Sequence, residues 1–597
     1  MTHLNVFRGS DAVKDYFDPD NNPPLPLVEI PDRLNPFRCD GVRIYAKLLT
    51  ALPAHNVKSL PALGMLLSQD GASEKRIVEA SSGSTVLSLG ILSRVLWGNE
   101  DVTAYVTNKK HPDSLRLLRF FGLKVSLYGG LAQQEPTDPR GIMSRLRRLA
   151  AEDESTIYPG QYDNENNWKS HERWTGPQIL KQLPEIMVFS TTVGTGGECR
   201  RHTYFVWCRR GIPTNAGSSL GCITGAGAYL KSSKPSVKVV GVFNVFGDPT
   251  PGPRHFHGFH TCGFPWKGTV DAQLEVSSVD SYRMSMLLSR EGIIAGPSSG
   301  EALKGLLDYL ELMKQRGRLS ELSEHSTGEI TCVFTCSDLP YQYLDGYFQK
   351  LGDHEFAPIE NQILLSCDQE KHDERWIFEP EEALRKFSTG YYAKGPNRES
   401  LNPKPIGEHL CTACIPYEKV FHKASTPWSW LKNCFNGKQS NKPQLAKCGR
   451  IGQQETVSSG AIIDLRSAQS FCGQHIRGSY SLPLRGLTAT TAGGDLFADP
   501  ETVYEVWKSL RALFLEDDGA SQLMGEIGRR GFPSLVLCYD GDASRLATSI
   551  LRAKGVEAFS VAGGFRGIQD TWVSGRSRGA SKGTQLATTL REYQAEK

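Results

Sequence analysis

Lys58 is the residue whose type and position most directly suggest chemistry. It lies where a short loop, LPAHN, leads into the apolar segment SLPALGML. A lysine that is partly removed from water and held in place can act as an imine-forming nucleophile. Because most lysines are exposed, a solvated lysine at the start of a helix is the ordinary alternative. The choice between these two interpretations depends on the motifs around it.

The segment EASSGSTVLSLG has the composition of a carboxylate-binding loop. A strand, RIVEA, ends in a run of small hydroxyl residues just before a helix is predicted to begin. Hydroxyls and backbone N–H groups at a helix start can hold a carboxylate. The same residue types also cap ordinary helices without any ligand. The candidates for contact with a ligand are Ser81, Ser82, Ser84 and Thr85.

The segment EIMVFSTTVGTGG predicts a strand that runs into a glycine loop. The loop residues are Gly194, Thr195, Gly196 and Gly197, and their backbone N–H groups could close on a phosphate. A stretch from Glu198 to Gly217 separates this loop from GCITGAGAYLK, the helix expected to follow at once. We hypothesise that residues 198–217 are a retained intron, because the codons at both ends can spell splice signals.

Together these segments resemble the cysteine synthase and cystathionine β-synthase family of fold-type-II pyridoxal-phosphate enzymes, over about the first 350 residues. The resemblance implies that Lys58 forms the Schiff base with pyridoxal 5'-phosphate. It implies that Ser81, Ser82 and Thr85 hold the substrate carboxylate, and that Gln161, in QYDNENNWKSHERWTGPQI, lies beside the substrate. The implied cofactor contacts, besides Lys58, are Ser84, where the family has asparagine, the phosphate loop Gly194, Thr195, Gly196 and Gly197, and Ser298 at the pyridine nitrogen.

The chain differs from the family motifs at two places, and a second region is a candidate for one of the implied cofactor contacts. The chain has PLPLVEIP where the family usually has GNTPL, and SLP follows Lys58 where DRP is usual. The later stretch FTCSDLPYQYL competes with Ser298, in EGIIAGPSSGEAL, as the partner of the pyridine nitrogen.

The family resemblance implies β-replacement on O-acetylserine or serine, with sulfide or a thiol as the nucleophile. The product would be cysteine or a related thioether amino acid. Fold alone does not fix the reaction, so a serine/threonine dehydratase or a cysteine desulfhydrase is the nearest alternative. A non-catalytic sulfur-handling or regulatory protein is the alternative from a different class, motivated by Ser84 and by the interrupted glycine loop.

The C-terminal part resembles a rhodanese domain over about 140 residues, with Asp464, Arg466 and His475 to Gly478 in its motifs. Cys538 ends a predicted strand and opens a loop before a helix, where N–H groups and the helix dipole favour a thiolate. Such a thiolate could carry persulfide sulfur. A buried strand-end cysteine is the alternative, and Asp540 and Asp542 beside it raise a thiol pKa unless Arg545 turns inward.

These motifs must be positioned by layered α/β domains, because strand-like and helix-like segments alternate along most of the chain. We expect a fold-type-II domain of two mostly parallel α/β subdomains over residues 1–352 and a small rhodanese-like domain over 458–597. Residues 353–457 are polar and proline-punctuated, which predicts an irregular, partly disordered linker. Within it, Cys411 and Cys414 form a CxxC pair that we interpret as coincidental loop thiols rather than a metal or redox site.

The composition of the chain limits the classes of partner that we expect. The 597 residues include 68 Lys+Arg and 65 Asp+Glu, so no basic footprint for nucleic acid is expected. No apolar run suits a membrane span, and the 14 scattered cysteines indicate reduced thiols. We expect a soluble cytoplasmic protein, with mitochondria as the alternative compartment. The expected partners are an amino-acid substrate, sulfide or a persulfide donor and, from the resemblance, a second copy in a homodimer.

Overall fold

The computed structural model describes residues 5–81, 83–110, 112–130, 138–194, 221–255, 266–369, 371, 373–387, 460–476, 478–489 and 495–578. The chain divides into two units, Met1–Ala357 and Pro358–Lys597.

Strands in the first unit match the apolar runs of the sequence. Central strands are buried along nearly their whole length, as expected of parallel strands that are covered on both faces. In chain order the strands are β1 (Leu27–Glu29), β2 (Val42–Leu48), β3 (Arg76–Ala80), β4 (Val102–Thr107), β5 (Lys124–Tyr128), β6 (Thr156–Ile157), β7 (Ile186–Thr192), β8 (Lys238–Asn244), β9 (Ala272–Val276) and β10 (Ile330–Cys336).

Helices alternate with these strands, as the sequence predicts. They are α1 (Ala12–Phe17), α2 (Ser59–Leu67), α3 (Ser84–Trp97), α4 (Pro112–Phe120), α5 (Ile142–Glu152), α6 (Asn166–Ser170), α7 (Gly176–Gln182), α8 (Gly221–Ser233), α9 (Trp266–Thr269), α10 (Ser278–Arg290), α11 (Pro297–Gln315) and α12 (Leu344–Lys350). A π-helical turn, His171–Thr175, joins α6 to α7.

Two sheets organise the first unit. The larger has the order β1-β2-β10-β7-β8-β9, and the smaller has the order β5-β4-β3-β6. All neighbours are parallel except β1, which pairs antiparallel with β2. Separate apolar clusters pack against the two sheets. This is the expected arrangement of two mostly parallel α/β subdomains.

The second unit is built on one parallel sheet with the order β11-β15-β14-β12-β13. Its strands are β11 (Ile377–Phe378), β12 (Ala461–Asp464), β13 (Tyr480–Ser481), β14 (Ser534–Leu537) and β15 (Ala558–Val561). Its helices are α13 (Pro380–Phe387), α14 (Ala468–Gly473), α15 (Pro500–Arg511), α16 (Asp518–Arg530), α17 (Asp542–Ala553) and α18 (Gly564–Arg578).

The first part of the expected linker differs from the prediction. Residues 353–387 contain short helical turns, β11 and α13, and β11 pairs with β15 at the edge of the C-terminal sheet. The physical reason is apolar burial, since Phe378 and Phe387 pack on Phe559. Residues 388–459, with Cys411 and Cys414, lie outside the described residues. Within the described ranges, none of the helices is long and apolar enough to span a bilayer.

Candidate functional site

Lys58 lies directly before α2, in a loop that is fixed on two sides. Its backbone N–H donates to Asn56 Oδ1 over 2.9 Å, and the Ser88 hydroxyl of α3 donates to the same oxygen over 3.0 Å. The Val57 N–H donates to the carbonyl of Ser337, just past the end of β10, over 2.6 Å. The loop therefore ties Lys58 to both sheets of the first unit.

The surroundings of Lys58 lower the pKa of its amine. The side chain is only partly exposed, and burial lowers the pKa of Lys58, although Cys222 and Asp338 oppose this shift. A neutral amine has the lone pair that imine formation needs. Lys58 is thus partly removed from water, as an imine-forming lysine requires, and its catalytic role stays a prediction.

Thr85 and Gln161 meet at the carboxyl end of β3, as the family resemblance implies. The Thr85 hydroxyl donates to Gln161 Oε1 over 2.7 Å, and Gln161 Nε2 donates to the carbonyl of Ala80 over 3.1 Å. Both side chains are buried. Ser81 is partly buried in the same loop and its hydroxyl accepts from the N–H of Gly83, while Ser84 is the first residue of α3. Ser82 lies outside the described residues.

Glu79 is a residue of this site that the sequence analysis missed. One of its carboxyl oxygens accepts from the N–H of Ala80 over 3.0 Å, and the other accepts from Gly160 and Gln161 over 3.0 and 3.3 Å. Burial raises the pKa of Glu79 to about 7 against the effect of these N–H donors. The carboxyl therefore joins the serine loop to the Gln161 loop. The signal in the sequence was a glutamate inside the apolar strand RIVEA.

Ser298 and the competing segment FTCSDLPYQYL occupy neighbouring positions. Ser298 is buried in the first turn of α11, and Asp338 follows β10 with its carbonyl bound to the N–H of Gly296 over 2.8 Å. A Cβ on Gly296 would lie 2.5 Å from Asp338 Oδ1, so glycine is required for this approach. Burial raises the pKa of Asp338 to about 6, opposed chiefly by Tyr343 and Lys58, with a smaller contribution from Ser298.

The glycine loop is described only at its first residue. Gly194 bridges to Pro253, and a Cβ on Gly194 would lie 2.9 Å from the carbonyl oxygen of Gly252. Thr195, Gly196 and Gly197, together with the hypothesised intron at 198–217, lie outside the described residues. The chain is described again from Gly221, where α8 begins.

Helix α8 packs closely against α6 through two glycines. A Cβ on Gly221 would lie 2.2 Å from Asn167 Oδ1, and one on Gly225 would lie 2.0 Å from the carbonyl oxygen of Trp168. Cys222, between them, interacts electrostatically with Lys58, and burial raises the pKa of its thiol to about 12. The sequence analysis did not single out Cys222.

Unpartnered polar atoms around Lys58 indicate that the site takes a polar ligand. Among the described residues, Ser59 Oγ, His171 Nε2 and Thr224 Oγ1 are buried without a hydrogen-bond partner. Such atoms are rare in native proteins and call for an explanation. A phosphorylated pyridine aldehyde would supply hydrogen-bond partners for these atoms. Its aldehyde carbon would be the electrophile for the Lys58 amine. The residues present therefore fit pyridoxal phosphate, and Lys58, Gly194 and Ser298 are the described residues predicted to hold it.

In the second unit, Cys538 lies in a loop at the carboxyl end of β14. The N–H groups of Gly541 and Ser544 point at Cys538 Sγ, over 3.1 and 3.3 Å. The Cys538 side chain is nevertheless fully buried, and burial together with Asp540 raises the pKa of its thiol to about 11. The expected lowering of this pKa is therefore wrong, because desolvation and a like charge outweigh the N–H groups and the helix start.

Arg545 interacts electrostatically with Asp542, but it is not among the groups that act on Cys538. Its guanidinium pairs with Asp373 and Asp368 and lies over the ring of Phe497, all away from Cys538. Asp464 and Arg466 form a buried ion pair at 2.7 Å. Arg466 and Tyr539 line a cavity of about 400 Å³ on this edge of the sheet. His475 lies outside the lining, bound to the carbonyl of Phe471.

Comparisons with known proteins agree with both units. Residues 21–199 match the model of the pyridoxal-phosphate dependent enzyme family, and residues 449–571 match that of the rhodanese-like domain. The N-(2-amino-2-carboxyethyl)-L-glutamate synthase of Ralstonia nicotianae is 28% identical over 278 residues, which is 43% of this chain and 72% of that protein. The cysteine synthase of Aquifex aeolicus is 27% identical over 303 residues, covering 49% and 82%.

Among solved structures, O-acetyl serine sulfhydrylase isoform 3 from Entamoeba histolytica is 19% identical, with a TM-score of 0.43, and covers 59% of this chain and 95% of its own. The chain therefore carries a pyridoxal-phosphate dependent enzyme domain in its N-terminal part, with cysteine synthases among the relatives of that part, and a rhodanese-like domain towards its C-terminus.

Proposed function

We propose that the first unit catalyses β-replacement on O-acetylserine or serine, and that Lys58 is its catalytic base and imine-forming residue. The observation that carries the proposal is the Lys58 amine, whose pKa is lowered by burial beside a site with several unpartnered polar atoms. The cysteine synthases among its relatives support the amino-acid substrate class.

In this proposal, different residues bind the substrate and remove its proton. The N–H groups and hydroxyls of the loop at Ser81, Ser82 and Thr85 would bind the substrate carboxylate. Gln161 would complete that contact, since Nε2 has a second proton besides the one given to Ala80. The Lys58 amine would remove the proton from the substrate α-carbon. Bound pyridoxal phosphate supplies an electron sink for the resulting charge.

The acceptor nucleophile is proposed to be sulfide or a thiol. One relative is an N-(2-amino-2-carboxyethyl)-L-glutamate synthase, a name that describes a product substituted on the nitrogen of glutamate, so an amine is the alternative nucleophile. Product analysis separates these outcomes.

The rhodanese-like unit is proposed to carry sulfane sulfur on Cys538, which two equivalents of a small thiol would release as sulfide for the same reaction, regenerating the Cys538 thiol and leaving the small thiol as its disulfide. Covalent linkage keeps a sulfur carrier at a high effective concentration near the first unit's substrate. The N–H groups of Gly541 and Ser544 on Cys538 Sγ support the assignment. The raised thiol pKa implies slow turnover unless a donor or a loop rearrangement exposes the sulfur.

The proposal is tested with the purified full chain, incubated with O-acetylserine, serine or cysteine with and without sulfide, and products identified by mass spectrometry. Lys58→Ala should abolish product and the visible absorption band of bound cofactor. Lys14→Ala, at an exposed position, is the matched control and should change neither. A wild-type chain without bound cofactor would instead support a non-catalytic role.

Dehydratase or desulfhydrase activity would appear as a keto acid formed without added nucleophile. Thiocyanate formation from thiosulfate and cyanide, lost in Cys538→Ser, tests the sulfur-carrying role separately.

A further inference from the structure

His171 is a buried histidine that the proposed chemistry leaves unused. It opens the π-helical turn His171–Thr175, a local geometry that often marks functional positions. Its Nδ1 lies 2.8 Å from Thr175 Oγ1, while its Nε2 is buried and has no hydrogen-bond partner among the described residues. One ring nitrogen is therefore held and the other is left available to a ligand.

The protonation state of His171 follows from its surroundings. Burial, reinforced by the nearby Lys58, lowers the pKa of His171 to about 3, so the imidazole is neutral and carries one proton. A hydroxyl can donate to a ring nitrogen, and donation from Thr175 to Nδ1 leaves the ring proton on Nε2. In that tautomer Nε2 is a neutral hydrogen-bond donor, and none of the described residues accepts from it.

Helix α8 packs closely against the backbone around His171. A Cβ on Gly225 of α8 would lie 2.9 Å from His171 Cβ and 2.7 Å from the N–H nitrogen of Glu172. Only glycine allows α8 to approach the π-helical turn this closely. The same helix begins with Gly221 and Cys222, and Cys222 interacts with Lys58. The packing thus brings His171 and Lys58 into one buried site.

We propose that His171 is a ligand-binding residue of the Lys58 site, and that its Nε2–H donates a hydrogen bond to an oxyanion of the bound ligand. Two oxyanions could accept it, the phosphate of the cofactor and the carboxylate of the amino-acid substrate. The proposal rests on the proposed function, because it needs a ligand at Lys58. It extends that function by assigning a contact outside the serine and glycine loops.

The test measures binding with the full-length chain after its cofactor has been removed. Affinities for pyridoxal 5'-phosphate and for pyridoxal are measured by fluorescence titration in wild type, His171→Phe and His171→Gln. O-acetylserine is then titrated into the reloaded proteins, and the midpoint of the spectral change is recorded. Phe keeps the ring shape without a donor, and Gln places an amide N–H near the position of Nε2.

We expect His171→Phe to weaken one of these interactions by about tenfold or more, and His171→Gln to restore most of it. A loss with pyridoxal phosphate but not with pyridoxal assigns the contact to the phosphate. A loss confined to the O-acetylserine titration assigns it to the carboxylate. Thr175→Val, which keeps the imidazole but removes the hydroxyl, should weaken the same interaction as His171→Phe.

Wild-type affinities in His171→Phe would overturn the proposal. Equal losses in His171→Phe and His171→Gln would also overturn it, since they would show a structural role only. If the wild-type chain itself binds no pyridoxal phosphate, the proposed function fails, and that result is distinct from an unaffected variant.

Discussion

Glu79 predicts an unusual dependence of stability on pH. Two effects compete at its buried carboxyl: three backbone N–H groups favour the carboxylate, and loss of hydration favours the neutral acid. Burial wins, and the pKa rises to about 7. A carboxyl whose pKa is higher in the folded than in the unfolded chain binds more protons when folded, so stability falls as pH rises from about 4.3 to 7.

The magnitude follows from that shift. With an unfolded pKa of about 4.3, raising the pH from 5 to 8 should lower the free energy of unfolding by about 2–3 kcal/mol through this group alone. Glu79→Gln removes the titration. The difference in unfolding free energy between wild type and variant should therefore change by that amount between the two pH values, with wild type losing more.

Urea unfolding at pH 5 and pH 8, followed by tryptophan fluorescence, measures this difference. Glu74→Gln is the matched control, because Glu74 is exposed five residues earlier, and its difference from wild type should not change with pH. A Glu79→Gln difference that stays constant with pH, or that changes in the opposite direction, would show that the N–H groups hold the carboxylate ionised. The reasoning about desolvation would then be refuted.

Three further outcomes are expected. Gly225→Ala should destabilise the protein by about 1–3 kcal/mol in thermal unfolding, because its Cβ would lie 2.0 Å from the Trp168 carbonyl oxygen. Gly268→Ala is the control, since a Cβ at that position would meet open space, and it should have little effect on thermal unfolding. Iodoacetamide should modify Cys538 roughly a hundredfold more slowly than the exposed Cys472 near pH 8, as peptide mass spectrometry can measure, because few Cys538 thiols are ionised. Similar rates would contradict the buried thiol. Deleting residues 198–217 should tighten pyridoxal-phosphate binding in fluorescence titrations, whereas unchanged or weaker binding, or transcripts that all retain this stretch, would argue against a retained intron.

Local sequence patterns predicted most of the fold because parallel strands have continuous apolar runs. RIVEA and VTAYVT coincide with β3 and β4, and STVLSLGILSRVLW coincides with α3. The linker prediction was wrong near Phe378 and Phe387, because their burial depends on Phe559, about 170 residues away in sequence. Composition over a short window cannot report a partner at that separation.

The site was predictable where one loop carries its own chemistry, and less so where burial decides it. Thr85 and Gln161 were assigned to the substrate through motifs, and the structure shows that their side chains are hydrogen-bonded to each other. Glu79 and His171 were missed because each acts through neighbours distant in sequence, and an isolated carboxyl or imidazole has no local pattern. For Cys538 the sequence showed the N–H donors and the acidic neighbours, but not the complete burial that decides the pKa.

Lys58 and Asp338 show how burial shifts the pKa values of an interacting amine and carboxyl towards each other. In water, both groups would be charged near neutral pH. Here burial lowers the pKa of the amine and raises that of Asp338 to about 6, so each group opposes the other's shift without cancelling it. Asp338→Asn would remove the charge that favours protonated Lys58, and should lower the Lys58 pKa further. Cofactor binding in that variant should therefore extend to lower pH than in wild type, and a shift to higher pH would show that Asp338 acts on the ligand instead.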